Sequence, residues 1–182
     1  MAKAGDVIFR GRIDDPRLQQ LYRYWRALFR GKRLPARDVI DPTAIGPAVL
    51  PFVVLADVVE GGQRVRYRLV GTRMVAEWGA DFTGRFLDEI MTGSYREFLE
   101  GLFADVIAKR CAVLSESAFR WDIGGSIRTC RLFMPLAADG RTVDAVLIGQ
   151  VFDHARDASP PRKVVETRPG HVEIFRLHEA AE

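Results

Sequence analysis

The sequence holds few of the residues that build metal centres or disulfide frameworks. Its 182 residues include two cysteines and three histidines. Cys111 and Cys130 lack the close spacing of zinc or thioredoxin-like motifs, and two thiols are too few for a disulfide scaffold. We therefore expect two reduced cysteines that serve as small buried hydrophobic residues in a reducing compartment.

Long apolar segments are also missing. No run approaches the roughly 20 residues that a helix needs to cross a bilayer. The N-terminal sequence MAKAGDVIFRGR contains no apolar core of a signal peptide. With 48% hydrophobic and 28% charged residues, the composition is that of a globular chain. We expect a cytoplasmic protein with one domain of ordinary size and terminal extensions.

The sequence also lacks a recognisable catalytic constellation. It has no GxSxG motif, no P-loop and no GxGxxG motif in a suitable context. All three histidines, His154, His171 and His178, follow the last predicted strand, so a hydrolase triad in the core would have no base. Their spacing does not fit a metal site either. We predict no catalytic residues, no metal ligands and a protein that is not an enzyme.

Positive charge is concentrated near the N-terminus. The net charge is +3, and residues 16–37 contain seven basic residues and no acidic one. Asp15-Pro16 predicts the start of a helix, with aspartate as the N-cap and proline in the first turn. Apolar residues then recur at helical spacing along one face, which indicates an amphipathic helix that ends near Gly31.

This N-terminal helix has three interpretations. It folds back onto its own domain, or it forms a dimer seam through Leu21, Trp25 and Leu28, or it contacts an anionic membrane or an acidic partner. We predict a homodimer through those three residues. Nucleic acid is not an expected partner, because no recognised binding motif accompanies the charge.

Residues 52–152 show the pattern of an α+β domain. Val65, Tyr67 and Leu69 alternate with arginines, which is typical of a strand with one buried face. A helix is predicted from Ser94, whose capping box includes Glu97. The predicted strands are 52–59, 64–70, 112–121, 127–136 and 143–152. This order favours a five-stranded antiparallel sheet with the helices of the crossover packed on one face.

Several short segments together resemble the PAS-domain family, and most closely a group of bacterial proteins with a single PAS domain. They are Trp25, GKRLPAR at 31–37, Asp41-Pro42, Leu50-Pro51, YRLVGT at 67–72 and GADFTGR at 79–85. The resemblance covers about residues 15–152. It implies a PAS-like sheet and a sensory or regulatory module that acts by binding a small molecule or a partner protein.

The order of predicted elements and breaker residues also suggests how the chain is divided. We expect a flexible arm at residues 1–14, a helical extension at 15–51 and the PAS-like domain at 52–152. The tail at 153–182 contains Ser159-Pro160-Pro161 and Pro169-Gly170, so we expect a partly disordered linker with at best one short element.

In a PAS-like fold, aromatic residues should converge between sheet and helices. The predicted ligand-binding residues are Tyr67, Trp78, Phe103, Phe119, Trp121, Arg131 and Phe133. They suit a small apolar or aromatic ligand, although the same residues are also compatible with a filled core. Arg131 shares strand parity with Phe133. If its side chain points inward it requires an anionic partner, and otherwise it extends to solvent.

We expect no haem and no flavin. A haem-binding PAS domain usually has a histidine on or near its long helix, and residues 1–153 contain none. The cysteine-containing helix motif of light-oxygen-voltage flavin domains is absent as well. Because no output domain is recognisable, the module should act on a separate signalling protein. The alternatives are a ligand-free interaction or scaffold module, and a small enzyme with an unrecognised site.

Overall fold

One antiparallel sheet organises the chain. The computed structural model describes residues 13–121, 126–153 and 164–175. The helices are α1 (Pro16–Ala27), α2 (Pro42–Ile45), α3 (Thr72–Trp78), α4 (Leu87–Ile90) and α5 (Gly93–Lys109). The strands are β1 (Val53–Val59), β2 (Arg64–Val70), β3 (Ala112–Trp121), β4 (Ser126–Leu136), β5 (Ala145–Asp153) and β6 (Val164–Phe175).

The first five strands confirm the predicted PAS-like sheet with a helical crossover. The strand order is β2-β1-β5-β4-β3-β6, and every neighbouring pair is antiparallel. The hairpin β1–β2 is followed by α3, α4 and α5, and the meander β3–β4–β5 then returns beside β1. Pairing of β1 with β5 therefore places the crossover helices over the middle of the sheet.

A sixth strand extends the sheet beyond the predicted fold. β6 pairs with β3 from Ala112–Phe175 to Trp121–Val164, and it is longer than the single short element expected in this part of the tail. Pro169 suggested a linker, but an edge strand accommodates proline where its ladder is irregular. The register between β3 and β6 does shift between Ser115 and Ser117, close to where Pro169 pairs.

Helix α1 covers the face of the sheet opposite the crossover helices. The indole Nε1 of Trp25 donates a hydrogen bond to the carbonyl oxygen of Pro135 on β4, at 3.1 Å. On β5, a Cβ at Gly149 would lie 2.7 Å from side-chain carbons of both Leu18 and Leu21. Any side chain at this position would therefore displace Leu18 and Leu21, and glycine lets α1 lie this close to β5. The sheet is covered on both faces.

The burial of α1 corrects the predicted dimer seam. Leu21 and Trp25 are both 0% exposed, so neither offers surface to a second copy, and Leu28 is only partly buried. The first of the three interpretations of this helix is the one observed: its apolar stripe packs into its own domain. Periodicity identified the stripe but could not say which surface would cover it. A homodimer remains a prediction that needs another surface.

A buried carboxylate joins the linker after α1 to the first hairpin. Asp57 on β1 is 4% exposed and accepts hydrogen bonds from Arg37 at 2.7 Å, Arg66 at 2.9 Å and Arg68 at 3.2 Å. Burial alone would raise the pKa of Asp57. Hydrogen bonding from Arg66 and the charges of Arg68 and Arg37 outweigh burial and hold that pKa below its usual value.

Replacing Asp57 by asparagine should weaken the fold in a pH-dependent way. We expect Asp57→Asn to lower the free energy of unfolding at pH 7 by about 1–3 kcal/mol, since the arginines lose their charged acceptor. A carboxyl group whose pKa is lower in the folded protein stabilises it above the unfolded pKa, about 3.9 for aspartate. The difference from wild type should therefore shrink as the pH falls below about 4, measured by urea denaturation.

A matched control is the exposed pair of Asp105 with Lys109 on α5, whose charged atoms lie 2.6 Å apart. Asp105→Asn should cost at most about 0.5 kcal/mol at pH 7, as is usual for exposed ion pairs. Equal losses in the two variants would contradict the assigned role of Asp57.

Removing the indole donor of Trp25 should destabilise the single chain without changing its assembly. We expect Trp25→Phe to lower the free energy of unfolding by about 1–3 kcal/mol, because a buried carbonyl loses its donor and the smaller ring fills less space. Arg23→Ala, on the exposed face of the same helix, should change it by less than about 0.5 kcal/mol. Light scattering would show an unchanged molar mass; a lower mass at unchanged stability would instead support the dimer seam.

Candidate functional site

A small cavity lies between the sheet and the crossover helices. Its volume is about 40 Å³. Five of the seven predicted site residues line it: Tyr67, Trp78, Phe103, Arg131 and Phe133. The side chains of the other two, Phe119 and Trp121, lie outside the part of the chain that the structure describes. The cavity is therefore where the sequence placed it, and ligand binding by these residues remains a prediction.

Two of the polar residues that line this cavity were not among the predicted site residues. Tyr95, in the first turn of α5, and Gln150, on β5, both line it. Tyr95 belongs to the apolar face of the predicted helix, and Gln150 shares strand parity with Ile148, so both positions carried a signal. The neighbours of these two side chains depend on how α5 packs against the sheet. Sequence periodicity carries no information about that packing.

Aromatic pairs join the helices to one another and to the sheet. The rings of Trp78, at the end of α3, and Tyr95 are stacked, with centroids 5.7 Å apart and planes at 19°. Phe103 on α5 meets Phe133 on β4 edge to face, at 5.2 Å and 87°. Such pairs add about 0.5–1.5 kcal/mol to the energy of burial and favour one geometry. They hold the wall of the cavity in a defined shape.

Arg131 points into the protein and places a positive charge on the cavity wall. It is 1% exposed. Its Nη1 donates to the Ser117 hydroxyl at 2.8 Å, and its Nη2 donates to the Tyr95 hydroxyl at 3.2 Å. The guanidinium carbon lies 5.9 Å from the ring centre of Tyr95 and 6.0 Å from that of Phe98. The alternative in which Arg131 extends to solvent is wrong.

The two tyrosines of the cavity are hydrogen-bond donors at neutral pH. Burial raises the pKa of Tyr67 well above its usual value, and the nearby Tyr95 raises it further, although Arg131 opposes the shift. Burial also raises the pKa of Tyr95, again against the effect of Arg131. The Tyr95 hydroxyl is engaged by Arg131, whereas the Tyr67 hydroxyl forms no hydrogen bond with another described residue.

Further polar groups lie beside Arg131 on the same face of the sheet. Gln150 donates through Nε2 to the Thr129 hydroxyl at 3.1 Å, and that hydroxyl donates to the carbonyl oxygen of Val151 at 2.9 Å. Ser115 faces Arg131 across the β3–β4 ladder, and its buried hydroxyl has no hydrogen-bond partner among the described residues. The face that borders the cavity is therefore more polar than an ordinary hydrophobic core.

The described residues offer few other groups that could bind a metal or act as a nucleophile. Among them, no three histidine, cysteine or acidic side chains group in a way that could hold a metal ion. Cys111 and Cys130 are separate thiols, and both are partly buried. Burial, with a smaller effect from Glu116, raises the pKa of Cys130 to about 12, so its thiol stays protonated and is a poor nucleophile.

Within the described ranges, no helix combines the length and apolar character that a membrane crossing requires.

The sheet, its helical crossover and the cavity between them define an α+β domain. The sequence profile of the family described as "PAS domain" matches residues 13–150, and the chain belongs to the PAS-domain family. The matched region includes α1. PAS domains are a common signal-sensing module.

One similar solved structure is titled "Structure of RsLOV d2 variant". It is 13% identical, with a TM-score of 0.42 over 79% of this chain and 70% of that chain. A likeness of that size carries no argument about ligand or activity. No curated protein matches the chain.

The hydrogen bond between Arg131 and Tyr95 should contribute measurably to stability. We expect Tyr95→Phe to lower the free energy of unfolding by about 1.5–3 kcal/mol, because a buried charged donor loses its acceptor. The ring and its stack on Trp78 are retained. Tyr24→Phe is the control, since its hydroxyl accepts from the backbone N–H of Asp41 at 2.7 Å at an exposed site, and it should cost less than about 1 kcal/mol. Equal losses in chemical denaturation would refute the assignment.

Proposed function

We propose that this protein is a sensory or regulatory module that binds a small molecule in the cavity and catalyses no reaction. The observation that carries the proposal is the combination of an aromatic wall with Arg131, a charged side chain that is 1% exposed and lines the cavity. A charge of this kind is costly to bury and seldom serves a core whose only task is packing. Convergent polar groups in an apolar cavity are typical of small-molecule sites.

The size of the cavity limits what it holds. A water molecule needs about 10–15 Å³ of such space, so about 40 Å³ accommodates three or four atoms of that size. Sites for drug-sized ligands have volumes of roughly 300–1,000 Å³. These dimensions support a ligand much smaller than haem or flavin. A larger aromatic metabolite would require the walls to move, and the flexible side chains of Met74 and Met91 lie in those walls.

The contacts around the cavity transmit the effect of ligand binding to the helices at the surface. Tyr95 stacks on Trp78 and accepts a hydrogen bond from Arg131, so it links α3, α5 and β4. A ligand that binds one arrangement of these contacts more tightly than another shifts the protein towards that arrangement. The change in helix packing is the signal that a partner protein detects.

We place the partner, and the predicted homodimer, on a surface other than the buried stripe of α1. Leu69, near the end of the edge strand β2, is 41% exposed, and Val39 in the linker after α1 is 48% exposed. An interaction in the cytoplasm without any ligand is the second candidate function, and the small volume of the cavity favours it.

Filling the cavity separates these two functions. Val54→Leu adds a methylene group to a buried residue of the wall and should reduce small-molecule binding at least tenfold while the fold is retained. Val39→Leu, at an exposed site, should bind as wild type does. The probes are acetate, propionate, acetamide and propionamide, and the measurement is the shift of the Trp78 indole signal in ¹H–¹⁵N NMR spectra, assigned with Trp78→Phe. If none of the four shifts that signal at millimolar concentration, the sensory proposal fails and the ligand-free module is favoured.

A further inference from the structure

Three arginine side chains converge on one carboxylate of the first hairpin. Arg37, Arg66 and Arg68, together the arginine cluster, donate to Asp57 at 2.7, 2.9 and 3.2 Å. Each arginine uses a single nitrogen for this contact, and the described residues offer its other donors no further acceptor. Because a guanidinium group has five N–H donors, most donors of the cluster stay available. The three side chains are 41%, 42% and 47% exposed, so a ligand can reach them.

The cluster lies in an open cleft that is separate from the cavity. The volume of the cleft is about 440 Å³, which falls within the roughly 300–1,000 Å³ of small-molecule sites. Tyr67, next to Arg66 on β2, lines the cavity, and successive side chains of a strand face opposite sides of the sheet. Alanine and valine residues complete the walls of the cleft, together with Asp38 and Asp144.

The positive charge of the cluster exceeds what Asp57 neutralises. Three guanidinium groups face one carboxylate, which leaves a surplus of two positive charges, although one arginine would neutralise Asp57 and like charges repel. The other carboxylates of the cleft, Asp38 and Asp144, form no ion pair with a described residue. That of Asp144 accepts instead from the backbone N–H of Ala138, at 2.9 Å. An anion bound against the cluster would therefore balance charge that the described residues leave uncompensated at contact distance.

We infer that the cleft binds a small phosphorylated metabolite, with its phosphate group on the arginine cluster. A phosphomonoester carries a charge of about −1.5 to −2 at pH 7, which matches the surplus. Its oxygens can accept from guanidinium groups that arrive from two elements, the strand β2 and the linker after α1. Asp38 and Asp144 then accept hydrogen bonds from hydroxyl or amino groups on the rest of the ligand. This site lies outside the cavity and does not rest on the proposed function.

The first test compares small molecules that differ in one group. Ribose-5-phosphate has a phosphate and hydroxyl donors, inorganic phosphate lacks the sugar, ribose lacks the phosphate, and succinate is a dianion without phosphate. We expect ribose-5-phosphate to bind with a dissociation constant below about 1 mM at about 0.15 M sodium chloride. Phosphate and succinate should bind at least about fivefold more weakly, and ribose should not bind. The measurement is a ¹H–¹⁵N NMR titration that follows the backbone amides of Val58 and Arg68.

Two substitutions in the cluster test the assigned contacts. Arg66→Met and Arg68→Met should each weaken ribose-5-phosphate binding at least about tenfold, since each removes a charged donor, while two arginines still hold Asp57 in place. Arg68→Lys keeps the charge without the planar fork and should fall between wild type and Arg68→Met. Arg96→Met is the matched control, because Arg96 is also 41% exposed and ion-paired, with Glu100 on α5, and it should leave binding unchanged.

Asp38→Ala tests the other end of the site. The side chain of Asp38 is exposed and forms no hydrogen bond or ion pair with a described residue, so this variant should fold as wild type does. It should weaken ribose-5-phosphate binding about two- to fivefold and leave the binding of inorganic phosphate unchanged. A cluster that only ties the linker to the hairpin predicts no change for either ligand.

The outcomes decide this inference independently of the cavity. Absence of ribose-5-phosphate binding at millimolar concentration, succinate binding that is equally tight, or unchanged binding in the cluster variants or in Asp38→Ala would overturn it and leave the cluster a structural ion-pair group. If the methionine variants do not fold, Arg68→Lys and Asp38→Ala provide the test. The probes for the cavity act on the opposite face of the sheet, so the inference and the proposed function fail separately.

Discussion

The arrangement of helices over the sheet depends on the burial of one guanidinium group. Arg131 leaves water at the centre of β4, and its hydrogen bonds must then be met from inside the protein. Ser117 meets one of them from β3, and Tyr95 meets another from the first turn of α5. Because Tyr95 also stacks on Trp78, the position of α3 follows from the same requirement. Tyr95 and Trp78 also line the cavity, so the contact that satisfies Arg131 helps to form its wall.

The opposite face of the sheet is held mainly by apolar packing. There α1 places Leu18 and Leu21 against Gly149, where a larger residue would have to displace both leucines, and its hydrogen bond to the sheet, among the described residues, runs from Trp25 to the backbone of β4. Arg131 and Gly149 lie on adjacent strands but face opposite sides of the sheet. The sheet thus separates the layer that contains Arg131 and the cavity from the apolar, closely packed layer beneath α1.

The sequence was most informative where a pattern is local. The helix start at Asp15-Pro16 and the parity of Arg131 with Phe133 both predicted features that the structure contains. Alternation correctly predicted the strand β2, but its buried face does not extend to Leu69, which is 41% exposed beyond an irregularity in the pairing with β1. The sequence could not predict which surface an apolar pattern would pack against when several surfaces fit it equally well. An apolar stripe is the same whether it packs on its own sheet or on a second copy, so the burial of Trp25 against Pro135 could not be foreseen. Likewise, the β6 strand depends on the open edge of β3, a tertiary feature.

The central pairing of the sheet also determines when the protein can fold. Val53 pairs with Gly149 and Asp57 with Ala145, so the first hairpin has no neighbour in the sheet until β5 has been made. During synthesis the ribosome releases α1 and the hairpin long before the strands that cover them. Their apolar faces are exposed to other proteins throughout that interval. In a chain of this topology, the first hairpin gains its second neighbour in the sheet only after most of the domain has been synthesised.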